Sequence, residues 1–166
     1  VQLENLNPNS VQGDQKIVAI TQMLCYNKEN GLPVQFDLDA TDIPDLVPIL
    51  AVLGTFGTHP SRITGAHRLK IKESDRLAAI SELLNRLGGK VTANEDGLEI
   101  EPVSMLHGGT VDSCGDHRIA MCAAIAATRC THPVIILGGE SVEKSYPQFY
   151  EDYNALGGNA HVVVLE

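Results

Sequence analysis

Positively charged side chains are concentrated in one short segment of this 166-residue chain, whose net charge is -9. Five of its twelve lysines and arginines fall within residues 62–76, and the carboxylates Glu73 and Asp75 lie between them. The basic residues are Arg62, Arg68, Lys70, Lys72 and Arg76. Convergent cations bind phosphate or carboxylate groups, and neighbouring carboxylates can transfer protons. The pattern therefore predicts a site for a small anionic substrate.

Three cations are predicted at or just before the beginnings of helices, where the positive end of the helix dipole disfavours them. Arg76 falls in the first turn of a helix predicted over 74–87. Arg118 begins a helix predicted over 117–128, and Lys144 stands just before the next helix, which Pro147 is predicted to begin. A bound anion would resolve this conflict, because helix N-termini and arginine side chains both favour phosphate or carboxylate. The alternative, ion pairing with neighbouring acids, stays open. Those pairs would be Arg76 with Asp75 or Glu73, Arg118 with Asp116, and Lys144 with Glu143.

Two carboxylates are candidates for proton transfer. Asp45 precedes an apolar helix, so it could serve only as the N-cap or could take a proton from a substrate hydroxyl. Glu73 lies between Lys72 and Arg76, and it could equally be a solvated loop acid. His117 is either a residue of the helix cap or an anion ligand, and the sequence leaves both open.

The spacing of apolar residues predicts the elements that hold these groups. Leucine and isoleucine recur at helical spacing over 74–87, which predicts an amphipathic helix with Ser74 as its N-cap. Residues 68–72 alternate between apolar and basic, which predicts a strand with one solvated face. The segments 47–56 and 119–128 lack a polar side, which predicts buried helices. The helices should therefore be more buried than the strands, with the sheets facing outward.

Three landmarks recur in the same order at nearly the same offset, which predicts a structural repeat. They are RLGGKV (86–91) with ALGGNA (155–160), IKESD (71–75) with SVEKS (141–145), and DATDIPDLVPIL (39–50) with DSCGDHRIAMCA (112–123). We predict one α/β domain of about two and a half units, with a truncated unit over 1–30 and further units over 31–102 and 103–166. In these units Asp45 and Arg118 hold equivalent positions. Each unit would run strand, helix, strand, helix, strand.

The composition narrows the class of protein. A chain that is 43% hydrophobic and 20% charged is ordinary for a globular domain, and no apolar run approaches the ~20 residues of a membrane span. The acidic balance argues against nucleic acid as a partner. The four cysteines form no CxxC pair and lie in apolar stretches, so we expect reduced, buried thiols of a cytosolic protein. They are Cys25, Cys114, Cys122 and Cys130. The chain begins with Val1 and has no signal segment, so we expect part of a longer chain.

With these residues, the chain resembles the C-terminal part of the 5-enolpyruvylshikimate-3-phosphate synthase (3-phosphoshikimate 1-carboxyvinyltransferase) family. The motifs are RLKIKESDRL (68–77), DHRIAM (116–121), DIPD (42–45) and EKSYPQF (143–149). The resemblance covers essentially the whole chain, but well under half of the two-domain family chain. It implies βαβαββ units with helices inside and sheets outside, and neither a metal nor an organic cofactor. It implies that the 5-hydroxyl of shikimate 3-phosphate adds to C2 of phosphoenolpyruvate while C3 is protonated, after which phosphate leaves.

The resemblance also implies roles for individual residues. Asp45 is similar to the acid/base that handles the 5-hydroxyl and contacts the shikimate ring. Lys72 resembles a ligand of shikimate 3-phosphate close to the chemistry, and Glu73 resembles the residue that exchanges a proton with C3. His117 resembles a residue that supports the ligand-binding side chains, and Arg68 stands where some members carry an asparagine that binds the shikimate substrate. The cations that resemble ligands of phosphoenolpyruvate are Arg76, Arg118 and Lys144.

The partners implied by the resemblance are the two substrates and the other domain of the enzyme. We expect a monomer without nucleic-acid or membrane partners, located in the cytoplasm, and a plastid location of the parent chain stays open. Alone, the chain should be inactive, because it supplies one side of the cleft. Three alternatives stay open: the related enolpyruvyl transferase acting on UDP-N-acetylglucosamine, a non-catalytic anion-binding module, and a structural repeat protein. The paired motifs at 72–76 and 116–121 count against the first, and the retention of Asp45 and Glu73 counts against the second. The three cations at helix beginnings count against the third.

Overall fold

Helices and strands alternate along the chain, as the sequence predicts. The computed structural model describes residue 7 and residues 10–163, so the predicted outer bounds at residues 1 and 166 lie outside the described residues. The helices are α1 (Lys16–Glu29), α2 (Val47–Thr55), α3 (Arg76–Arg86), α4 (His117–Ala127) and α5 (Phe149–Ala155). The strands are β1 (Asp37–Asp39), β2 (Ser61–Thr64), β3 (Lys90–Ala93), β4 (Leu98–Glu101), β5 (Gly109–Asp112) and β6 (Val134–Leu137). The 3-10 helices are Gly13–Gln15, Pro44–Leu46, His67–Ile71 and Gly139–Lys144.

The described strands form one sheet of four strands and one of two. In the larger sheet the order is β1-β2-β4-β3, with β1 parallel to β2 and with β4 antiparallel to both of its neighbours. In the smaller sheet β5 runs parallel to β6, with Val111 opposite Ile136. Along the chain, β1, α2, β2, α3, β3 and β4 follow in the βαβαββ order that the resemblance implies. The number of such units remains a prediction.

Helices α2, α3 and α4 lie inside the sheets, whereas α1 and α5 are largely exposed. Val47, Leu50 and Ala51 of α2 are fully buried, as the absence of a polar face predicts. α2, α3 and α4 pack against one another; α2 and α3 also contact the larger sheet, and α3 and α4 contact the smaller one. The strands alternate as half-solvated strands do: Leu98 of β4 is buried, whereas Glu99 is exposed. This inside-out layering brings the beginnings of three helices together.

The helix predicted over 74–87 forms, but it begins at Arg76 rather than Ser74. Asp75 is its N-cap, because its carboxylate accepts a hydrogen bond from the Ala78 amide at 3.1 Å. A carboxylate at this position also favours the positive end of the helix dipole. The Ser74 hydroxyl donates instead to Asp116 at 3.1 Å, so the prediction of Ser74 as the cap was wrong.

Residues 68–72 do not form the predicted strand, since His67–Ile71 is a 3-10 helix. Leu69 is fully buried while Ile71 is 86% exposed, so the two apolar residues do not share a face. The cause is distant in sequence. The carboxylate of Asp96, from the β3–β4 turn, accepts hydrogen bonds from the amides of Gly65 and His67 and bends the chain after β2.

Two expectations about the last unit also need correction. Pro147 lies in a turn, and α5 begins two residues later at Phe149. No strand forms over 159–163 after the second Leu-Gly-Gly, and residues 164–166 lie outside the described residues. The smaller sheet consists of β5 and β6 alone among the described strands, so residues 159–163 have no ladder of backbone hydrogen bonds with it.

The cysteines are free, but they are not all buried. Cys122 of α4 is buried, and this burial raises the pKa of its thiol to about 12. Cys130 is half-buried. Cys25 is exposed on α1, and Cys114 is exposed in the loop before α4, so the expectation of burial was wrong for both. None of the helices described between residues 10 and 163 has the length and apolarity needed to cross a membrane.

We predict that α1 opens before α4 in native-state hydrogen exchange. α1 buries only Ile20 and Leu24, whereas α4 buries seven residues, four of them in the shared hydrophobic core. Local opening follows the amount of buried contact, so amide protection should be lower in α1. α1 is the longer helix, with 14 residues against 11 in α4, so helix length cannot account for a lower protection of α1. Equal protection of the two helices would show that this account of the core is wrong.

Candidate active site

Six charged side chains meet where α2, α3 and α4 begin, and we call them the charge cluster. Its acids are Asp45, Glu73 and Asp116, and its bases are Lys72, Arg76 and Arg118. Asp45 lies in the 3-10 turn before α2, Arg76 is the first residue of α3 and Arg118 is the second residue of α4. Packing of the three buried helices therefore gathers residues that are up to 73 positions apart in sequence.

Arg76 is the centre of the charge cluster, and its side chain is 1% exposed. Its Nε donates to Asp116 Oδ2 at 2.7 Å, its Nη1 to Asp45 Oδ1 at 2.9 Å and its Nη2 to Glu73 Oε2 at 2.5 Å. Burial, the largest influence, lowers the pKa of Arg76, but the three carboxylates together raise it above its usual value. The guanidinium is therefore fixed as a cation.

Asp116 is fully buried and holds two helices at once. Besides Arg76, its carboxylate accepts the Ser74 hydroxyl at 3.1 Å and the Arg118 amide at 2.9 Å, which makes it the N-cap of α4. Burial is the largest influence on the pKa of Asp116 and raises it. The hydrogen bonds from Arg76 and Arg118, with the positive charge of Arg76, outweigh burial and leave this pKa below its usual value.

Asp45 faces the cations and not the helix amides. Its Oδ2 accepts from Arg118 Nη2 at 2.9 Å, and Lys72 Nζ lies 3.8 Å from its Oδ1. Neither the 3-10 turn nor α2 takes a side-chain cap from it, which contradicts the interpretation of Asp45 as an N-cap only. The side chains of Asp45 and Arg118 are 31% and 30% exposed, so this part of the charge cluster opens to solvent.

Only one of the three cations predicted at helix beginnings forms an ion pair with an acid nearby in sequence. Arg76 does contact Glu73, whereas the Arg118 guanidinium contacts Asp45 and leaves only its amide to Asp116. Asp75 and Asp116 cap α3 and α4, so the positive ends of these two helix dipoles are compensated without a bound anion. Arg76 also serves the fold, since it is buried among carboxylates.

Lys144 and His117 lie beside the charge cluster. Lys144 Nζ donates to the Gly115 carbonyl at 2.7 Å in the loop before α4, and not to Glu143. His117 is the first residue of α4, and its buried Nδ1, 3.9 Å from Asp116 Oδ1, has no hydrogen-bond partner among the described residues. The predicted site residues are thus brought to one end of the helix layer.

The other basic residues of the opening segment lie elsewhere. Arg68 and Lys70 are exposed on the 3-10 helix after β2. Arg62 lies on the outer face of β2 and lines a groove with Met23 and Phe36, away from the charge cluster. Only two of the five basic residues in that segment therefore join the charge cluster.

The sequence did not predict the hydrogen bonds that Asp116 and Ser74 make at the charge cluster. Asp116 was considered only as an ion-pair partner for Arg118, and Ser74 only as a cap. The spacing of an aspartate just before a predicted helix could have identified Asp116 as an N-cap. Its contact with Arg76 depends on the packing of α3 against α4, which no local pattern encodes.

The chemistry available at this site combines anion binding with proton transfer. Arginine and lysine side chains that converge on one place recognise phosphate or carboxylate, and Asp45 and Glu73 adjoin them as partly exposed carboxylates. Within residues 10–163, no group of three histidine, cysteine, aspartate or glutamate side chains has an arrangement that would hold a metal ion.

Comparisons with known proteins agree with one another. The family model of EPSP synthase (3-phosphoshikimate 1-carboxyvinyltransferase) matches residues 1–153. A 3-phosphoshikimate 1-carboxyvinyltransferase of Clostridium acetobutylicum is 44% identical over 97% of this chain, and one of Clostridioides difficile is 40% identical over 95%. The chain spans 39% and 38% of the length of these curated relatives. An EPSP synthase structure from Acinetobacter baumannii superposes with a TM-score of 0.66 at 34% identity, covering 72% of this chain and 28% of that one.

Proposed function

We propose, because this chain belongs to the EPSP synthase (3-phosphoshikimate 1-carboxyvinyltransferase) family, that it forms one side of an enolpyruvyl transferase active site. In this reaction the enolpyruvyl group of phosphoenolpyruvate passes to the 5-hydroxyl of shikimate 3-phosphate, and phosphate is released. The observation that carries the proposal is the charge cluster, in which anion-binding cations adjoin two partly exposed carboxylates.

The proposed binding roles follow from charge. Phosphoenolpyruvate carries a carboxylate and a phosphate on the same carbon, C2, so its recognition needs several cations from different directions. Arg76, Arg118 and Lys144 would supply them from α3, from α4 and from the end of a 3-10 helix. Lys72 would bind shikimate 3-phosphate near the reacting atoms, and His117 would support the position of the cations at the start of α4.

The proposed chemical roles follow from the two proton transfers. When the 5-hydroxyl oxygen forms its bond to C2, the hydroxyl proton must leave and C3 must gain a proton. Asp45 would accept the first proton and Glu73 would deliver the second. Elimination then breaks the bond from C2 to the phosphate oxygen, C3 gives a proton back to Glu73, and the departing phosphate takes up the proton held by Asp45. Phosphate is the leaving group.

The proposal includes the partners and the location. The other domain of the enzyme would complete the cleft, and the assembled enzyme would act as a monomer. A cytoplasmic location is supported by the four free cysteines, since disulfides form and persist mainly in oxidising compartments.

Replacing Arg118 by alanine tests the proposal. Loss of a charge-assisted contact should weaken phosphoenolpyruvate binding roughly ten- to a hundredfold, as about 1.5–3 kcal/mol implies. Stability should change by no more than about 1 kcal/mol, because the Arg118–Asp45 pair is partly exposed. Calorimetric titration of the chain gives the affinity, and a urea melt gives the stability.

A matched control is Arg86→Ala, which removes an exposed arginine of α3 that pairs with Glu82 far from the charge cluster. This variant should bind phosphoenolpyruvate as the unchanged chain does. The proposal fails if Arg118→Ala destabilises the fold while leaving the affinity unchanged.

A further inference from the structure

Asp45 already accepts the hydrogen bonds that an anionic ligand of Arg118 would need. Both terminal nitrogens of Arg118 point to this one residue: Nη2 to the carboxylate Oδ2 at 2.9 Å and Nη1 to the backbone carbonyl at 3.3 Å. Arginine recognises carboxylate and phosphate through such a pair of parallel donors. Asp45 Oδ1 takes Arg76 Nη1 at 2.9 Å in addition. The carboxylate of Asp45 therefore stands where a ligand's oxygen atoms would bind.

The charges of the cluster balance without a ligand. Its three acids and three bases sum to zero, so an added anion would make the cluster negative unless one carboxylate withdraws. The acids differ in their freedom to do so. Asp116 is fully buried and bonded to both α3 and α4, whereas Asp45 is partly exposed and caps no helix. Glu73 is also partly exposed, but it pairs with Arg76 and not with Arg118, so Asp45 is the acid whose withdrawal frees Arg118.

We propose that Asp45 is an internal competitor for the anion site and thereby determines which anions bind. In the ligand-free chain its carboxylate occupies Arg118, and a bound anion displaces it. The proposal rests on the proposed function, because it takes Arg118 as a ligand of the anion. The backbone of Arg118 remains in place during the exchange, since its amide is held by Asp116 at the start of α4.

Competition of this kind selects ligands by charge. A monoanion replaces the Asp45 carboxylate by another single negative charge, so its binding gains little free energy. A dianion carries a second negative charge, which is attracted to Lys72 and Lys144. The displaced Asp45 carboxylate is then no longer bonded to Arg118 and is free to contact a substrate hydroxyl. The site would therefore admit dianions such as phosphate in preference to acetate, and it would release its proton acceptor only when such an anion is bound.

Inorganic phosphate is the probe that tests this inference on the 166-residue chain at neutral pH and low salt. Amide chemical shifts report binding to the unchanged chain and to Asp45→Asn. Removal of the competing charge should tighten phosphate binding roughly ten- to a hundredfold. The matched control is Asp42→Asn, which makes the same change in net charge at a side chain that is 81% exposed and lies near Lys16. Its phosphate affinity should equal that of the unchanged chain.

Two further measurements keep the inference testable. Adding Arg118→Ala to Asp45→Asn should abolish the gain in affinity. In the unchanged chain, the Asp45 carboxyl carbon signal should shift as phosphate saturates the site, and this result does not depend on whether the variants fold.

Equal phosphate affinity of the unchanged chain and a folded Asp45→Asn would overturn the inference while leaving the proposed function intact. An Asp45 carboxyl signal that stays fixed at phosphate saturation would do the same. Absence of phosphate binding in every variant would overturn the inference and the proposed function together.

Discussion

Replacing Asp116 by alanine should lower the free energy of unfolding by about 3–5 kcal/mol, the usual cost of removing one partner of a buried ion pair. The Arg76 side chain is 1% exposed and Asp116 is fully buried, so water cannot take the place of the lost carboxylate. The same change removes the N-cap of α4 and the acceptor of the Ser74 hydroxyl. Urea denaturation measures the effect.

The control for Asp116→Ala is Glu73→Ala, which removes another carboxylate from the same arginine. Glu73 is 43% exposed, so its removal should cost no more than about 1 kcal/mol. A loss for Asp116→Ala no larger than the loss for Glu73→Ala would contradict the central structural role of Asp116.

The stabilisation by Asp116 should also depend on pH. Because its pKa in the folded chain lies below the unfolded value of about 3.9, its contribution is fully present above that value. The contribution is lost as the pH falls through the lower, folded-state pKa. The stability difference between the unchanged chain and Asp116→Ala should therefore shrink in acid and stay constant near neutral pH.

Local patterns predicted much of the fold because the information lay within single elements. The buried helix α2 and the apolar face of α3 follow from the spacing of their own residues, and Leu77, Ile80 and Leu84 are all buried. The segment after β2 was predicted wrongly because Asp96, about 30 residues away, redirects its backbone. The alternation of apolar and basic residues over 68–72 gives no information about a contact so distant in sequence.

The candidate site was predictable as a set of residues but not as an arrangement. Motifs and helix beginnings singled out Asp45, Arg76 and Arg118, and the repeat placed Asp45 and Arg118 at equivalent positions. Their direct contact, 73 residues apart, depends on how α2 and α4 pack. The role of Asp116 was not predicted for the same reason, because its carboxylate accepts hydrogen bonds from both α3 and α4.

The chain alone should release no phosphate from phosphoenolpyruvate and shikimate 3-phosphate at a rate near that of a complete enzyme. It spans 39% of the Clostridium acetobutylicum relative, so one side of the proposed cleft is missing. Correct positioning of two reactants contributes about 7–11 kcal/mol to lowering a barrier. The corresponding loss of rate is on the order of 10⁵- to 10⁸-fold.

The most direct test of the account is phosphate release by this chain combined with the part of that relative that the chain does not cover. We predict no measurable release by either part alone, release by the combination, and loss of that release with Asp45→Asn or Glu73→Gln. These variants retain the size of each side chain and remove only the carboxylate. Full-rate release by the chain alone, or an undiminished rate in both variants of the combination, would contradict the claim that this charge cluster is one side of an enolpyruvyl transferase active site.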